Sequence, residues 1–508
     1  MKKRFIWATA LALLFAACGS DDITGNGSSN ASSDSEYTSD DFDRTITVTF
    51  NSGSTATVSG AGSEQTVSVS GEKVTITNSG DEKVQYELSG TATNGYFKLY
   101  SEKKQAIVLN SVSITNSTGA AINVQSGKAV YVVLNGTNTL ADGSSYSTTS
   151  DEDEKAAFFS EGQLLFSGSG SLTVTAKGKS GIVSDDYVKF SEGTINVNCS
   201  TSCSVSNGDT LKPACVKAND EVIMAGGTVT LKSTGTGAKG ISCDGIGTFS
   251  GGTLTVTVTG SNFGSSSGGG MGPGGNSSDN SVAAKGMKFD DAITISGGNI
   301  VVSASNHEGI ESKSTITVTG GYVYASSSDD AINASSDLTI SGGYVMANSS
   351  GNDGIDANGN LYIKGGNVFA IATTSPEVAL DANTEGNKQL YITGGNIVAI
   401  GGLESGASIS NGTAYQSSSY SKGTWYGLYN GSSSVAFAYK VPSNSSMGTP
   451  MVVYTTGSTS LYSGVSGSGT SFWNSNGYSS CSGGSTVSLS SYSGGNSGGG
   501  PGGGGQHH

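Results

Sequence analysis

The sequence predicts an all-β chain wound as a parallel β-helix, a solenoid with an N-terminal cap and a small C-terminal β region. Three observations carry this. The first is a text of eleven residues written five times: Ala292-Ile-Thr-Ile-Ser-Gly-Gly-Asn-Ile-Val-Val, Thr315-Ile-Thr-Val-Thr-Gly-Gly-Tyr-Val-Tyr-Ala, Asp337-Leu-Thr-Ile-Ser-Gly-Gly-Tyr-Val-Met-Ala, Asn360-Leu-Tyr-Ile-Lys-Gly-Gly-Asn-Val-Phe-Ala and Gln389-Leu-Tyr-Ile-Thr-Gly-Gly-Asn-Ile-Val-Ala. Its second Gly falls at 298, 321, 343, 366 and 395, so the steps are 23, 22, 23 and 29. A period of that length marks repeats that bury their faces only by stacking on one another. Second, apolar residues within each copy alternate with Thr, Ser, Asn or Tyr, which is strand periodicity, and no window carries the 3.6 spacing of a helix. Third, 78 Gly against 6 Pro, with 13% charged and 35% apolar residues, suits thin Ser/Thr-faced sheets. A leucine-rich repeat is excluded because its Leu-x-x-Leu-x-Leu text and Asn column are absent. The Gly-Gly pairs mark corners that need φ > 0 or leave no room for a Cβ.

Taken in order, residues 1–17 read as a lipoprotein signal peptide. Lys2-Lys3-Arg4 precedes the apolar run Phe5 to Ala17, which is shorter than the roughly 20 residues of a spanning helix. Phe15-Ala16-Ala17-Cys18 resembles a lipobox, implying cleavage before Cys18 and acylation, palmitate included; the alternative is an ordinary buried or disulfide Cys. Gly19-Ser20-Asp21-Asp22 resembles the acidic export signal of surface lipoproteins, so an outer-membrane, surface-exposed location is expected, with the membrane met through the lipid anchor only. Residues 18–43 have almost nothing to bury and read as a disordered tether. Losing Lys2, Lys3 and Arg4 takes the formal charge from −15 to −18, which excludes nucleic acid as a partner for want of a basic footprint. Setting Cys18 aside leaves Cys199, Cys203, Cys215, Cys243 and Cys481, an odd number, so at least one thiol lacks a partner within the chain.

Residues 44–401 carry the repeats. Strands from Thr45, Val67 and Val74 read as an irregular cap over the open end. Degenerate copies follow at Ala106, Val130, Leu164, Val188, Val222 and Thr248; with the five best they make eleven, or about 50 Å at the strand spacing. Insertions interrupt at Asp142 to Lys155 and Ser261 to Asn280; the second is Gly-rich but lacks the Gly-Lys-Ser/Thr of a phosphate-binding loop. Residues 402–490 read as a C-terminal β cap and 491–508 as a disordered Gly-rich tail.

The chemistry sits in the turn after each Gly-Gly strand. Aligning Ile310, Ile332, Ile355 and Leu380 puts Glu308, Asp330 and Asp353 in one column and Glu311, Asn333, Asp356 and Asp381 in another, with Asp329 beside them. Asp and Asn in a single turn are ordinary turn chemistry. Stacked at about 4.8 Å, however, two carboxylates repel by about 0.9 kcal/mol in water and about 3.5 kcal/mol at a dielectric of 20. The three turns 303–312, 326–336 and 349–360 hold no Lys or Arg, so an external cation is expected, and an all-oxygen donor set selects calcium.

The repeated Ile-Ser-Gly-Gly and the run Asn352-Asp-Gly-Ile-Asp-Ala-Asn-Gly-Asn-Leu-Tyr-Ile-Lys-Gly-Gly resemble a family of bacterial carbohydrate-binding proteins, roughly from Val58 to Ile400. The resemblance implies a right-handed, single-stranded parallel β-helix akin to polysaccharide lyases, calcium, and plant cell-wall glycans such as pectic acid or cellulose. The family's Asp-Asp-Gly-Ile turn maps onto Asp329, Asp330 and Asn333, onto Asp353 and Asp356, and more loosely onto Glu308 and Glu311. Lys239 and Lys285 stand where an acid would, so fewer calcium sites are expected in those earlier repeats.

Tyr324, Met346 and Phe369 lie on the strand face opposite the core set Ile300, Val323, Val345, Val368 and Ile397. They form either an exposed strip for stacking on sugar rings or a face covered by the C-terminal segment, through Trp425, Tyr426, Tyr429 and Trp473. The functional expectation is a cell-surface binder of polysaccharide rather than an enzyme. A calcium-dependent lyase, with Lys285 or Lys288 as base, and a structural adhesin are the alternatives. Oligomeric state is not legible.

Overall fold

The computed structural model describes residues 36–147, 152–206, 208–264, 281–443 and 446–494. The signal segment, Cys18, most of the expected tether, the Gly-rich stretch 265–280 and the tail from 495 lie outside them. The described chain is all-β, with 3₁₀ turns at Ser39–Asp41 and Thr384–Gly386 and no α-helix among the described residues.

Each of the first four copies of the repeated text makes one strand before its Gly-Gly pair, one after it, and a third beyond the turn; the fifth makes the first two, Leu390–Ile392 and Asn396–Ile400. In the copy that starts at Ala292 these are Ile293–Ile295, Asn299–Ala304 and Ile310–Ser312. Each strand pairs in parallel with its equivalent one period later, Ile293 on Ile316, Ile300 on Val323 and Ile310 on Ile332. The period in the text is therefore the register of the ladders: every residue lies beside its counterpart in the next copy. The eleven copies counted in the sequence occupy consecutive places in one ladder, from Gln105–Thr115 to Leu390–Ile392. Arg44–Phe50 and Val84–Ala92 precede them, also in parallel.

Alternation decides what faces inward. In Asn299–Ala304, Ile300, Val302 and Ala304 are buried while Asn299, Val301 and Ser303 are half-exposed. Ile300, Val323, Val345, Val368 and Ile397 join one apolar core that runs from Ile46 to Tyr454. The two glycines of each corner have different reasons. Gly298, Gly321, Gly343, Gly366 and Gly395 hold φ between +77° and +85°, a region that side chains with a Cβ avoid. A Cβ on the preceding Gly297, Gly320, Gly342, Gly365 or Gly394 would lie 2.2 to 2.4 Å from a carbonyl oxygen of the copy below.

The parallel ladders end in antiparallel pairs. Thr57–Ser59 lies against Arg44–Phe50, Gln65–Ser70 against Lys73–Asn78, and Met451–Thr455 against Asn396–Ile400. Beyond the last copy, a six-stranded sheet spans Trp425–Asn430 to Ser485–Thr486. Its aromatic face lies on the repeats: Phe369 and Tyr439 ring centroids are 4.5 Å apart, and Trp473 Nε1 donates to the Tyr344 carbonyl at 3.0 Å. This corrects the assignment of Met346 and Phe369 to ligand binding. They are 1% and 0% exposed. Tyr324 is half-buried against the same cluster. An apolar strip this size is stabilised by cover, and the C-terminal sheet supplies it. Of the four aromatics expected there, Tyr426 and Trp473 do the covering, while Trp425 and Tyr429 pack around Cys481. All five described cysteines are buried and free; burial raises the Cys199 thiol to about 11 and the Cys243 thiol to about 12.

Candidate functional site

In five successive repeats the third strand is led by a charged residue, then Gly or Ala, then a buried Ile or Met. The small residue is required by crowding, since a Cβ on Gly240, Gly286, Gly309 or Gly354 would lie 2.4 to 2.6 Å from the carbonyl oxygen of the next repeat. Backbone bonds from Gly240 N to Lys285 O (3.2 Å), Gly286 N to Glu308 O (3.1 Å), Gly309 N to Asp330 O (3.1 Å) and Ala331 N to Asp353 O (3.3 Å) stack the preceding residues. The first column is thus Lys239, Lys285, Glu308, Asp330, Asp353. The strand register makes the second: Lys288, Glu311, Asn333, Asp356, Asp381. A parallel bridge from Leu380 to Leu403 then brings Glu404 above Asp381. Both columns are basic at one end and acidic at the other.

At the junction the protein provides its own cation. Lys285 Nζ lies 3.2 Å from Glu308 Oε1 and 2.7 Å from Glu311 Oε2, and Lys313 Nζ lies 2.5 Å from the other Glu311 oxygen. This corrects the expectation that no base reaches these turns. Lys285 belongs to the preceding repeat, and parallel stacking sets it directly beneath Glu308. These charges keep the Glu311 carboxyl below its ordinary value in spite of burial. Asp329 stands apart from the calcium set expected for it: its Oδ2 is 3.1 Å from His307 Nδ1, and Asn352 Nδ2 donates to its Oδ1 at 2.9 Å. His307, Glu308 and Asp329 place ligand atoms within 4.8 Å of one another. His307 was visible in the sequence but carried no signal, because only one of its two acidic partners, Glu308, is beside it in the chain and the other, Asp329, lies one repeat away.

Past Glu311 the acids are without bases. Asp330, Asp353, Asp356, Asp381 and Glu404 form no ion pair with Lys, Arg or His among the described residues. Asp330 and Asp353 are also buried, at 6% and 7% exposure. The partners of these acids include amides and one another, Asp356 with Asp381 and Asp381 with Glu404. Asn333 Nδ2 donates to Asp356 Oδ2 at 2.6 Å and to Asp330 Oδ2 at 3.3 Å; the Asp353 amide donates to Asp330 at 3.1 Å and the Val378 amide to Asp353 at 2.6 Å. Burial foremost, then carboxylate neighbours, pushes Asp330 up to about 8 and Asp353 to about 10. Burial does the same for Asp356 and Asp381, both about 6, and for Glu404, about 8. At neutral pH this stack must either keep protons or acquire a cation. The stack's possible ligand atoms are carboxylate oxygens, since Asn333 turns its Nδ2 toward them, and hard oxygen ligands of that kind suit calcium.

A family model described as "Carbohydrate-binding domain-containing protein" matches residues 70–354, which takes in Lys239 to Asp353 and stops short of Asp356. A protein of the same description from Acetivibrio thermocellus is 31% identical over 118 residues, 22% of this chain and 41% of the relative; the chain thus spans about two fifths of that relative's length. A solved structure, a polysaccharide lyase-like protein from C. thermocellum as its gadolinium derivative, aligns with 63% of this chain and 96% of its own at 19% identity, with a TM-score of 0.38.

Proposed function

The chain belongs to the family of carbohydrate-binding domain-containing proteins, and on that premise we propose that it is a surface lipoprotein that holds polysaccharide through calcium on the acidic half of its turn columns. The observation that carries this reading is the base-free run of buried carboxyls Asp330, Asp353, Asp356, Asp381 and Glu404 around the Asn333 amide. Carboxylate oxygens are the kind of ligand that calcium takes. Calcium held there would neutralise the stack and offer open coordination to sugar hydroxyls or uronate carboxylates. The chain's own part is positional. Asn333 ties Asp330 to Asp356 across the two columns, and the Asp353 and Val378 amides fix the carboxyls of column one. Pectic acid or a cellulose-like glycan is the ligand class. The parallel ladders, together with the right-handed rule for parallel crossovers, support a right-handed single-stranded β-helix as the scaffold.

A lyase reading is less well supported. Lys285 is held by Glu308 and Glu311, Lys288 pairs with Asp290, and Lys239, although burial and Lys285 lower it to about 8, is 8% exposed. None is a free base beside the acids.

The test is retention of polygalacturonate and of a soluble cellulosic glycan by the purified protein, in calcium and in chelator. Loss of retention in chelator, and in Asp330→Asn with Asp353→Asn, is expected; Asn keeps an oxygen for the turn amides, so the fold is spared. Retention that ignores both chelator and the double variant would remove calcium from the reading. Retention of no glycan at all would leave an adhesin. The anchor is tested separately: Cys18→Ala should move the protein from the membrane to the soluble fraction, and unchanged fractionation would sink the lipoprotein assignment.

A further inference from the structure

Between the strands Thr194–Cys199 and Ala214–Ala218 the chain leaves the repeat to make a small antiparallel hairpin, Ser204–Ser206 with Asp209–Leu211. Beside it opens a cleft of about 460 Å³, the size of a small-ligand site, whose lining includes Lys155, Lys179, Lys212 and Lys217 with one acid, Asp209. Four lysines around one cleft are unexpected in a chain of formal charge −15. Two of them are occupied. Lys155 Nζ lies 2.6 Å from Asp185 and 3.2 Å from Asp153. Lys179 donates to the Glu154 carbonyl and stands 4.7 Å over the Tyr146 ring. Lys212 and Lys217 form no ion pair among the described residues. Lys217 is half-buried, and burial, reinforced by Lys155 and Lys212 against the pull of Asp244, lowers its pKa. Positive charge gathered this way at a partly dry surface is unfavourable until an anion joins it.

The position of the cleft indicates which anion. Lys217 stands in the same ladder as the acidic columns, two places before Lys288, which is itself one place before Glu311. The whole cleft lies inside the stretch that matches the carbohydrate-binding family. From the lysines, the unpaired charge, the volume and this alignment, we infer that the cleft is a subsite for carboxylate groups of an acidic polysaccharide. The inference rests on the polysaccharide-binding reading and narrows it. A polyanion laid along the third-strand ladder meets lysines over the earlier repeats and the cation-seeking acids over the later ones. Ammonium groups then supply the charge-assisted bonds that a chain repelled by net −15 otherwise lacks.

The experiment compares polygalacturonate with a neutral soluble cellulosic glycan, both in calcium, on the wild type and on Lys212→Gln with Lys217→Gln. The double variant should lose about tenfold or more in affinity for polygalacturonate, with a shallower salt dependence, and keep its affinity for any neutral glycan. Lys212→Arg with Lys217→Arg should restore most of the loss. An unchanged melting temperature in the Gln pair shows that the fold is not the cause. Wild-type affinity and salt dependence in the Gln pair overturn the inference. Binding of the neutral glycan alone by the wild type overturns it while leaving polysaccharide binding standing; binding of neither overturns both.

Discussion

Held in chelator, the protein should lose stability as pH rises from about 4 to about 8, and calcium should reverse that loss. Unfolded Asp and Glu titrate near 3.9 and 4.3. In the folded chain Asp356 and Asp381 are raised to about 6, Asp330 and Glu404 to about 8, and Asp353 to about 10. Between those limits the folded state carries protons that the unfolded state has released. Stability therefore falls with rising pH, because its slope follows protons bound unfolded minus protons bound folded. The contribution is complete below about pH 4 and largely gone by about 8, with the share of Asp353 lasting longer. The lowered carboxyls do not mask the trend. Glu72, held by the Asn94, Thr93 and Gly53 amides, and Glu82, held by Arg44, both titrate at about 2, so most of their gain falls below the window and it is complete once unfolded Glu has ionised, by about pH 5 to 6.

Calcium bound at the stack would compete with those protons. At 100 times its dissociation constant it would add about 2.7 kcal/mol to the folded state, and its effect should grow from pH 5 to pH 8 as fewer protons remain to be displaced. Thermal melts across this range, in chelator and in calcium, read both slopes. Asp330→Asn with Asp353→Asn should flatten the chelator curve and abolish the calcium shift. A chelator curve that is already flat, or a calcium shift that survives the double substitution, rules out the stacked carboxyls as the origin.

The stacked acids were legible for one reason: the period is the register. Aligning Ile310, Ile332, Ile355 and Leu380 in the text is the same operation as pairing them in the ladder, so both columns could be written down residue by residue. What such stacking does across a break in the pattern was less legible. Lys285 sits in a repeat that reads Ala-Lys-Gly-Met-Lys, where the alignment already puts it in an acid's place; what the ladder adds is the ion pairs its Nζ makes with Glu308 and Glu311. The lysine cleft draws on degenerate repeats and a hairpin, so no single window holds it. The face carrying Met346 and Phe369 was legible as apolar, and cover by the C-terminal segment, Trp473 included, was one of its two readings; the part of Tyr439 was not legible, because it lies far along the chain and outside any period. Periodicity reports neighbours one repeat apart; contacts set by tertiary docking leave no such trace.

Gly342→Ala should cost about 3 kcal/mol or more. The new Cβ would lie 2.2 Å from the Thr319 carbonyl oxygen and 2.9 Å from its carbon. Neither side can yield easily. Ser341 N donates to Val318 O at 2.8 Å and Tyr344 N to Gly321 O at 2.9 Å, which pins the corner from both ends. The residue above is under the same constraint, since a Cβ on Gly365 would lie 2.4 Å from the Ser341 oxygen, so relief upward shifts strain into the next copy. The neighbouring substitution, Gly343→Ala, adds a second cost: φ of +77° and a Cβ 2.7 Å from Gly320 backbone. Thr317→Ala, on the half-exposed outer face of a neighbouring strand, serves as the control and should stay within about 0.5 kcal/mol. Denaturant unfolding of the three variants, followed by far-ultraviolet circular dichroism, measures the differences. If Gly342→Ala unfolds with the midpoint of the Thr317 control, the carbonyl contact is not what requires the first glycine of each pair.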